Sequence, residues 1–365
     1  MLENALKILN KIEDAGFKAY IVGGFVRDHL LGIESNDIDI CTSAQPKDVR
    51  QIFKNACLPN EDYGSVTVIV KNIRYEITTF RKEYSYIGNR KPDHFEFIDD
   101  LYEDLKRRDF LINTLCIDSH GNILDILNGR IDLENKIINT VGNSYDRFNE
   151  DAFRILRAIR FATTLNFKLS DEIKEAINKT KYLLKNISYE RKKEELDRIF
   201  TSSNVQYGVS LLIKSNLDSI LEINNLRNIS NFDDLMGVWA QLDVTHIYNF
   251  SKNERQLIKQ IQEVLRIDII DNSILYKYGL YVTSVVAGIR GLDKKKITEN
   301  YNKLPIKSRS EILIDGNDIM DILHIEPGEL LKTIISDIES RILDGTLIND
   351  KDCLSKYIYA KYYKK

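Results

Sequence analysis

The sequence predicts an α/β head over residues 1–141 followed by an all-helical remainder. Three observations carry this expectation. At 365 residues the chain exceeds what one compact core usually organises. Strand and helix periods alternate through the first part. Beyond Gly142 strand-like alternation becomes rare, and long stretches repeat with helical apolar spacing.

In chain order, Ala19 to Val22 is a short apolar run ending in Gly23-Gly24, and a helical stretch then stops at Gly32. Asp37 to Cys41 reads as the next strand. Val66 to Val70, Lys71-Asn72 and Ile73 to Phe80 read as a hairpin, with Asn72 suited to the tight turn. Ile137 to Val141 is a last short strand closed by Gly142. Helices are expected over Glu150 to Thr164, Tyr189 to Phe200 and Asn253 to Ile267. Near the end, Leu330, Leu331, Ile334, Ile335, Ile338 and Ile342 form one apolar stripe, entered at Pro327 and followed by Gly345.

Hydrophobic content of 43% and charged content of 29% describe an ordinary globular chain. The N-terminal stretch mixes acidic with apolar residues and has no signal-peptide pattern. No apolar run approaches the ~20 residues that span a bilayer. Cys41, Cys57, Cys116 and Cys353 are scattered without metal-ligand spacing, which suits reduced thiols in the cytoplasm. The net charge of −3 argues against a generally basic nucleic-acid binder. It leaves open a local basic surface.

The densest signal is GGFVRDHLLGIESNDIDI, residues 23–40. Asp37 and Asp39 are one residue apart on an expected strand, so both side chains leave the same face, with Cα atoms ~6–7 Å apart. That spacing suits two divalent ions about 3.5–4 Å from each other. Hard-cation chemistry of this kind needs carboxylate oxygens. Gly23-Gly24, between strand and helix, lets backbone approach a phosphate, and Arg27 can donate to phosphate oxygens. Separately these pieces read as a solvated turn, a tight turn and a surface ion pair of Arg27 with Asp28. Their order favours a metal and nucleotide site. Two readings of Glu76 stand together: a further carboxylate for that site, or a partner for Arg74.

GGFVRD with DID, YGSVTVIV and YEITTFR, LKRRDFLINTL, and RFNEDAFRILRAIRF occur in that order over about residues 20–165. As a set they resemble the bacterial class II CCA-adding enzymes, tRNA nucleotidyltransferases with a polymerase-β-like head. ILIDGNDIMDILHIEPGELL through LINDKD resembles the tail of the branch without an HD domain. The resemblance implies a small mixed sheet in the head and an elongated all-helical C-terminal part. It divides the chain into a catalytic head (1–141), a base-reading neck (142–205), a body (206–300) and a tRNA-binding tail (301–365). It also implies Mg²⁺ as cofactor at Asp37 and Asp39, and nucleotide contacts at Gly24, Arg27, Arg108, Asp151, Arg154, Arg157 and Arg160. Asn113 would support the site through its amide, and Thr114 stands where the family more often has a small apolar residue.

Asp151, Arg154, Arg157 and Arg160 recur every three positions on the expected helix, so they lie alongside one another on its surface. Aspartate accepts hydrogen bonds and arginine donates them. Cytosine and adenine pair an exocyclic amino donor with a ring-nitrogen acceptor, whereas uracil and guanine present the reverse. An Asp151–Arg154 pair would therefore admit CTP and ATP and reject UTP and GTP. The bland alternative is a salt-bridged surface face, and Arg107-Arg108-Asp109 has the same alternative.

Residues 81–92, RKEYSYIGNRKP, resemble the flexible loop that couples C to A addition. Gly88 replaces an aspartate common among relatives, which makes Arg90 the residue to test. Lys181, Lys185, Arg191, Lys192, Lys193 and the terminal KYYKK suit a path for tRNA backbone or ordinary solvated surface. The function implied is template-independent addition of C, C and A to tRNA from CTP and ATP, with no membrane and no obligate protein partner evident. The alternatives are a CC-adding or A-adding specialist, a bacterial poly(A) polymerase, or an inactive tRNA-binding protein.

Overall fold

Seven strands of the head assemble into one mixed sheet in the computed structural model, which describes all residues except 36, 55–56, 61–63, 89–90 and 364–365. At 57–60, 85–87 and 91–93 only the backbone is described. Helix α1 (Leu2–Asp14) buries Ala5, Ile8, Leu9 and Ile12, the i, i+3, i+4, i+7 stripe of an amphipathic helix, and packs on β1 (Ala19–Val22). Then follow α2 (Gly24–Leu30), β2 (Ile38–Thr42), α3 (Pro46–Ile52), β3 (Cys57–Asn60), β4 (Ser65–Val70) and β5 (Ile73–Thr79). A separate hairpin of β6 (Arg81–Ile87) and β7 (Lys91–Phe97) precedes α4 (Leu101–Lys106). Two short strands, β8 (Cys116–Ile117) and β9 (Ile123–Leu124), complete the sheet.

The sheet order is β3-β4-β5-β2-β1-β8-β9, with β2 and β5 parallel and the other pairs antiparallel. At the expected turn Lys71 and Asn72 both have positive φ, 51° and 63°. Two such residues give the turn twist that matches a hairpin ladder. On one face Ile21, Ile38, Ile40, Tyr75 and Ile77 are buried. On the other, Val22, Cys41, Phe80, Leu101, Leu105 and Cys116 form an apolar cluster under α4.

After α5 (Gly129–Asn135), only Ile137–Ile138 of the expected last strand is a strand, β10. It pairs in parallel with β11 (Lys168–Leu169), outside the head sheet, while Thr140 bridges to Phe110. The expected helix over 150–164 is two helices, α6 (Ser144–Glu150) and α7 (Phe153–Leu165), broken at Asp151. Asp151 is extended, with φ −139° and ψ 102°, and its carboxylate accepts from Phe153 N, so it starts α7 rather than lying within it. Helices α8 (Asp171–Thr180), α9 (Tyr189–Phe200), α10 (Val205–Lys214) and α11 (Leu217–Ile220) follow. Gly208 lets α10 press on α7, since a Cβ there would stand 2.4 Å from Thr163 Oγ1.

Residues Met1–Leu226 form one compact unit and Arg227–Lys365 a second. The second comprises α12 (Leu235–Leu242), α13 (Lys252–Leu265), α14 (Asn272–Ile289), α15 (Lys294–Asn302), α16 (Gly316–Leu323), α17 (Glu329–Leu343) and α18 (Lys351–Tyr362). Ile334, Ile338 and Ile342 of the expected stripe sit in its core with Ile319, Leu354 and Ile358, while Leu330 is exposed. No helix of the described residues is long and apolar enough to cross a membrane. Cys41 and Cys116 are buried free thiols, and Cys353 is an exposed one.

Candidate active site

Strand alternation sets the site's first row. Ile38 and Ile40 are 2% and 1% exposed, so Asp37 and Asp39, which alternate with them, turn outward. Asp37 immediately precedes β2 and Asp39 is its second residue. In register, Asp39 lies between Val22 of β1 and Glu76 of β5. Glu76 accepts a hydrogen bond from Ser65 Oγ at 2.5 Å and forms no ion pair with Arg74 among the described residues. Although open to the cleft, the Asp39 carboxyl is held above its ordinary pKa. Partial loss of water is the main cause, followed by the charge of Glu76 and, more weakly, of Asp37; Arg108 opposes them.

Gly23 takes φ +82°, a conformation that side chains other than glycine rarely adopt. A Cβ there would meet Asp39 Oδ2 at 3.6 Å and Arg108 Nη1 at 3.7 Å, so carboxylate and guanidinium converge on this turn. Of the expected glycines, Gly23 carries the special backbone and Gly24 opens α2. Among the described residues no three His, Cys, Asp or Glu side chains converge as a metal cage. Two strand carboxylates are nevertheless a fitting donor set for a small hard cation, which commonly completes its shell with water and substrate phosphate. The mutual repulsion recorded in the Asp39 pKa is also relieved by a cation.

Arg27 is not a surface ion pair. Its Nε donates to Asp28 Oδ1 at 2.8 Å, Nη2 lies 2.7 Å from the same oxygen, and Nη1 donates to Asn113 Oδ1 at 2.8 Å. Asn113 in turn donates to Asp109 Oδ1 at 3.0 Å, and Arg157 Nε donates to Asp109 Oδ2 at 2.8 Å. A hydrogen-bonded chain thus joins α2 to α7 through the turn at residues 109–113. Burial penalises the Asp109 carboxylate, but Arg157, Asn113 and Phe110 N more than offset this and hold it far below its usual range. Its folded pKa is depressed, so its contribution is present above about pH 4 and fades as pH falls further. Asp109→Ala is expected to cost about 2–3 kcal/mol by urea unfolding, the figure for a broken buried pair discounted because Arg157 is partly exposed. A loss below 0.5 kcal/mol would refute that role.

Arg108 follows α4, and its Nη2 stands 3.5 Å from Asp104 Oδ2. Buried Asp104 also binds Arg107 at 2.8 Å and accepts from Arg81 N at 3.1 Å. Because Glu83 lies 2.9 Å from Arg81 and 3.9 Å from Arg107, the base of the β6–β7 hairpin is tied to the same turn. The segment that resembles the family's flexible loop has the form of a hairpin with Gly88 at its turn, φ +63°. Arg90 lies outside the described residues.

Arg154 is buried and donates to Arg147 O at 3.0 Å, Glu150 Oε2 at 2.8 Å and Arg107 O at 3.2 Å. Asp151 and Arg154 do not share one helix face, because the helix is interrupted at Asp151; they interact through charge across the start of α7. Burial raises the Asp151 pKa, with Arg154, Phe153 N, Arg191 and Arg157 opposing. Arg160 Nε donates to buried Glu195 at 2.5 Å.

The basic residues divide. Lys192 is 2% exposed over the Tyr189 ring, so burial removes it from any path for RNA backbone. Lys181 caps Ser215 O at 2.9 Å and Lys193 pairs with Asp197. Lys361 and Tyr362 of the terminal KYYKK turn to Asp337. Lys185 is exposed.

Sequence reasoning passed over Asp104, Arg147, Glu150 and Glu195, and named Asp109 only as part of a charge run. Arg147 Nη2 donates to the carbonyls of Arg107 and Arg108 at 2.6 and 2.7 Å, which shapes the turn that aims Arg108. Asp109 lies in LKRRDFLINTL, and Arg147 and Glu150 lie in RFNEDAFRILRAIRF, so the motifs marked these three without giving their partners; Asp104 stands one residue before the first motif.

Family models match most of the chain: a Poly A polymerase head domain over residues 19–139, a probable RNA and SrmB-binding site of polymerase A over 166–222, and a putative tRNA nucleotidyltransferase domain 2 over 235–358. The chain is 36% identical to a CCA-adding enzyme of Ligilactobacillus salivarius, covering 96% of this chain and 95% of that one. It is also 36% identical to a CCA-adding enzyme of Streptococcus agalactiae, covering 98% and 96%. A crystal structure of the Bacillus stearothermophilus CCA-adding enzyme in complex with CTP superposes with a TM-score of 0.87 at 28% identity, covering 98% of this chain and 97% of that one.

Proposed function

The chain belongs to the family of CCA-adding enzymes, and from that premise we propose that it adds C, C and A in turn to the 3′ end of tRNA. It draws on CTP and ATP, works without a template and releases pyrophosphate. The observation that carries the reading is the convergence of Asp39, Gly23 and Arg108 at the start of β2, the central strand of the sheet. Relatives named CCA-adding enzyme match nearly the whole chain, which favours complete addition over a CC-only, A-only or poly(A) product.

Asp37 and Asp39 would hold the divalent cation, proposed to be Mg²⁺, with Glu76 beside Asp39. When bound, such an ion makes the tRNA 3′ hydroxyl a better nucleophile and neutralises triphosphate charge. Gly23 and Gly24 allow phosphate close to the backbone, while Arg27 and Arg108 orient it by donated hydrogen bonds. Asp151 accepts from the exocyclic amino group of cytosine or adenine, and Arg154 donates to the neighbouring ring nitrogen. Its carbonyl and carboxylate partners hold that guanidinium rigid, which replaces the template by fixed geometry. Arg157 and Arg160 complete the nucleotide contacts.

Residues 1–141 are then the catalytic head, 142–205 the base-reading neck, 206–300 a helical body and 301–365 a tail that holds tRNA. A cytoplasmic location is proposed with this activity, since tRNA and nucleoside triphosphates meet there. The test is incubation with tRNA lacking its 3′ end, all four nucleotides and Mg²⁺, followed by sequencing of the products. The expected ends are CCA, with none formed in a chelator and recovery when Mg²⁺ returns. Ends rich in U or G, or long A tails, would overturn the reading.

A further inference from the structure

Phe161 is 5% exposed on α7, and the guanidinium carbons of three arginines lie close over its ring: Arg160 at 3.8 Å, Arg27 at 5.0 Å and Arg157 at 5.3 Å. Arg157 and Arg160 come from its own helix, but Arg27 arrives from α2. The edge of each guanidinium is already engaged by a carboxylate: Arg27 by Asp28, Arg157 by Asp109 and Arg160 by Glu195. What the three share is the ring face. Phe110 meets the ring edge to face, at 5.6 Å and 78°, which fixes its orientation.

Three like charges gathered around one point repel, and the negative face of an aromatic ring attracts each of them. An aliphatic side chain of similar size would fill the space without that attraction. We propose that Phe161 is a positioning residue for nucleotide binding, its ring holding Arg27 of the glycine-turn helix against Arg157 and Arg160 of the base-reading helix. The phosphate side and the base side of the site then keep a fixed spacing before nucleotide arrives. The inference rests on the nucleotide role proposed above for these arginines.

The test replaces Phe161 with phenylalanines carrying one, two and three ring fluorines, which nearly preserve shape while weakening the negative face in steps. The KM for CTP and for ATP should climb with each fluorine, to about tenfold at the third. The KM for tRNA, kcat and the melting temperature should stay near those of the natural protein. Phe161→Leu should raise the nucleotide KM further; should that variant not fold, the fluorinated series still decides. Nucleotide KM values that stay flat across the series overturn the proposal. Arg157→Ala separates the two possible failures. Should it leave both nucleotide KM values unchanged, the nucleotide role of the arginine is wrong; should it raise them while the fluorinated series stays flat, only the role of the ring is.

Discussion

Asp39→Ala should lower the rate of CMP addition at least about a thousandfold, the loss expected when several kcal/mol of metal-borne charge stabilisation disappear. Binding of tRNA should persist, since the substitution removes one exposed side chain from the central strand. The metal-free fold gives a second readout with a definite sign. Asp39 has a raised pKa in the fold, so its charged form is disfavoured there. Stability is accordingly lost as pH rises through that folded pKa. Replacing Asp39 should leave the melting temperature of the metal-free protein at neutral pH unchanged or slightly higher. Mg²⁺ should raise the melting temperature of the natural protein and not of the variant. A variant that keeps a rate within tenfold of the natural protein would remove Asp39 from the chemistry.

The second large effect concerns base choice. Asp151→Ala should reduce kcat/KM for CTP and ATP by about a hundredfold, the worth of a hydrogen bond to a charged group at the upper end of its range. UTP and GTP, which gain nothing from that carboxylate, should change little, so discrimination narrows by the same factor. Asp151 is a cleaner test than Arg154, because Arg154 also braces the carbonyls of Arg107 and Arg147 and its loss would disturb the fold. Burial raises the Asp151 pKa, and the acceptor role requires the ionised form. CTP addition should therefore weaken as pH falls through that raised value, and the weakening should be absent in the variant. Single-nucleotide incorporation across pH measures both. Unchanged selectivity in Asp151→Ala would mean that the base is read elsewhere.

The break at Asp151 shows where periodicity misleads. Apolar spacing runs smoothly from Glu150 through Thr164, so the sequence reads as one helix. The structure inserts an extended residue whose carboxylate caps Phe153 N. Capping competes with helix continuation at such residues, and the outcome depends on what surrounds them. The β6–β7 hairpin differs in kind: family likeness marked the segment, whereas the pairing of its strands and the anchoring of its base on Asp104 and Arg107 come from tertiary contacts.

What the sequence determined by itself is local: two carboxylates leaving one face of a strand, a glycine turn before a helix, and a hairpin closed at Lys71-Asn72. Backbone dihedrals over a few residues settle those features, so they can be read from spacing. Tertiary structure alone decided which acid restrains which arginine. Asp109 reaches Arg157 across 48 residues, and Asn113 reaches Arg27 across 86. Those partnerships depend on how α2, the 109–113 turn and α7 pack, and side-chain charge can be matched at such distances only after the backbone has brought the groups within hydrogen-bond reach.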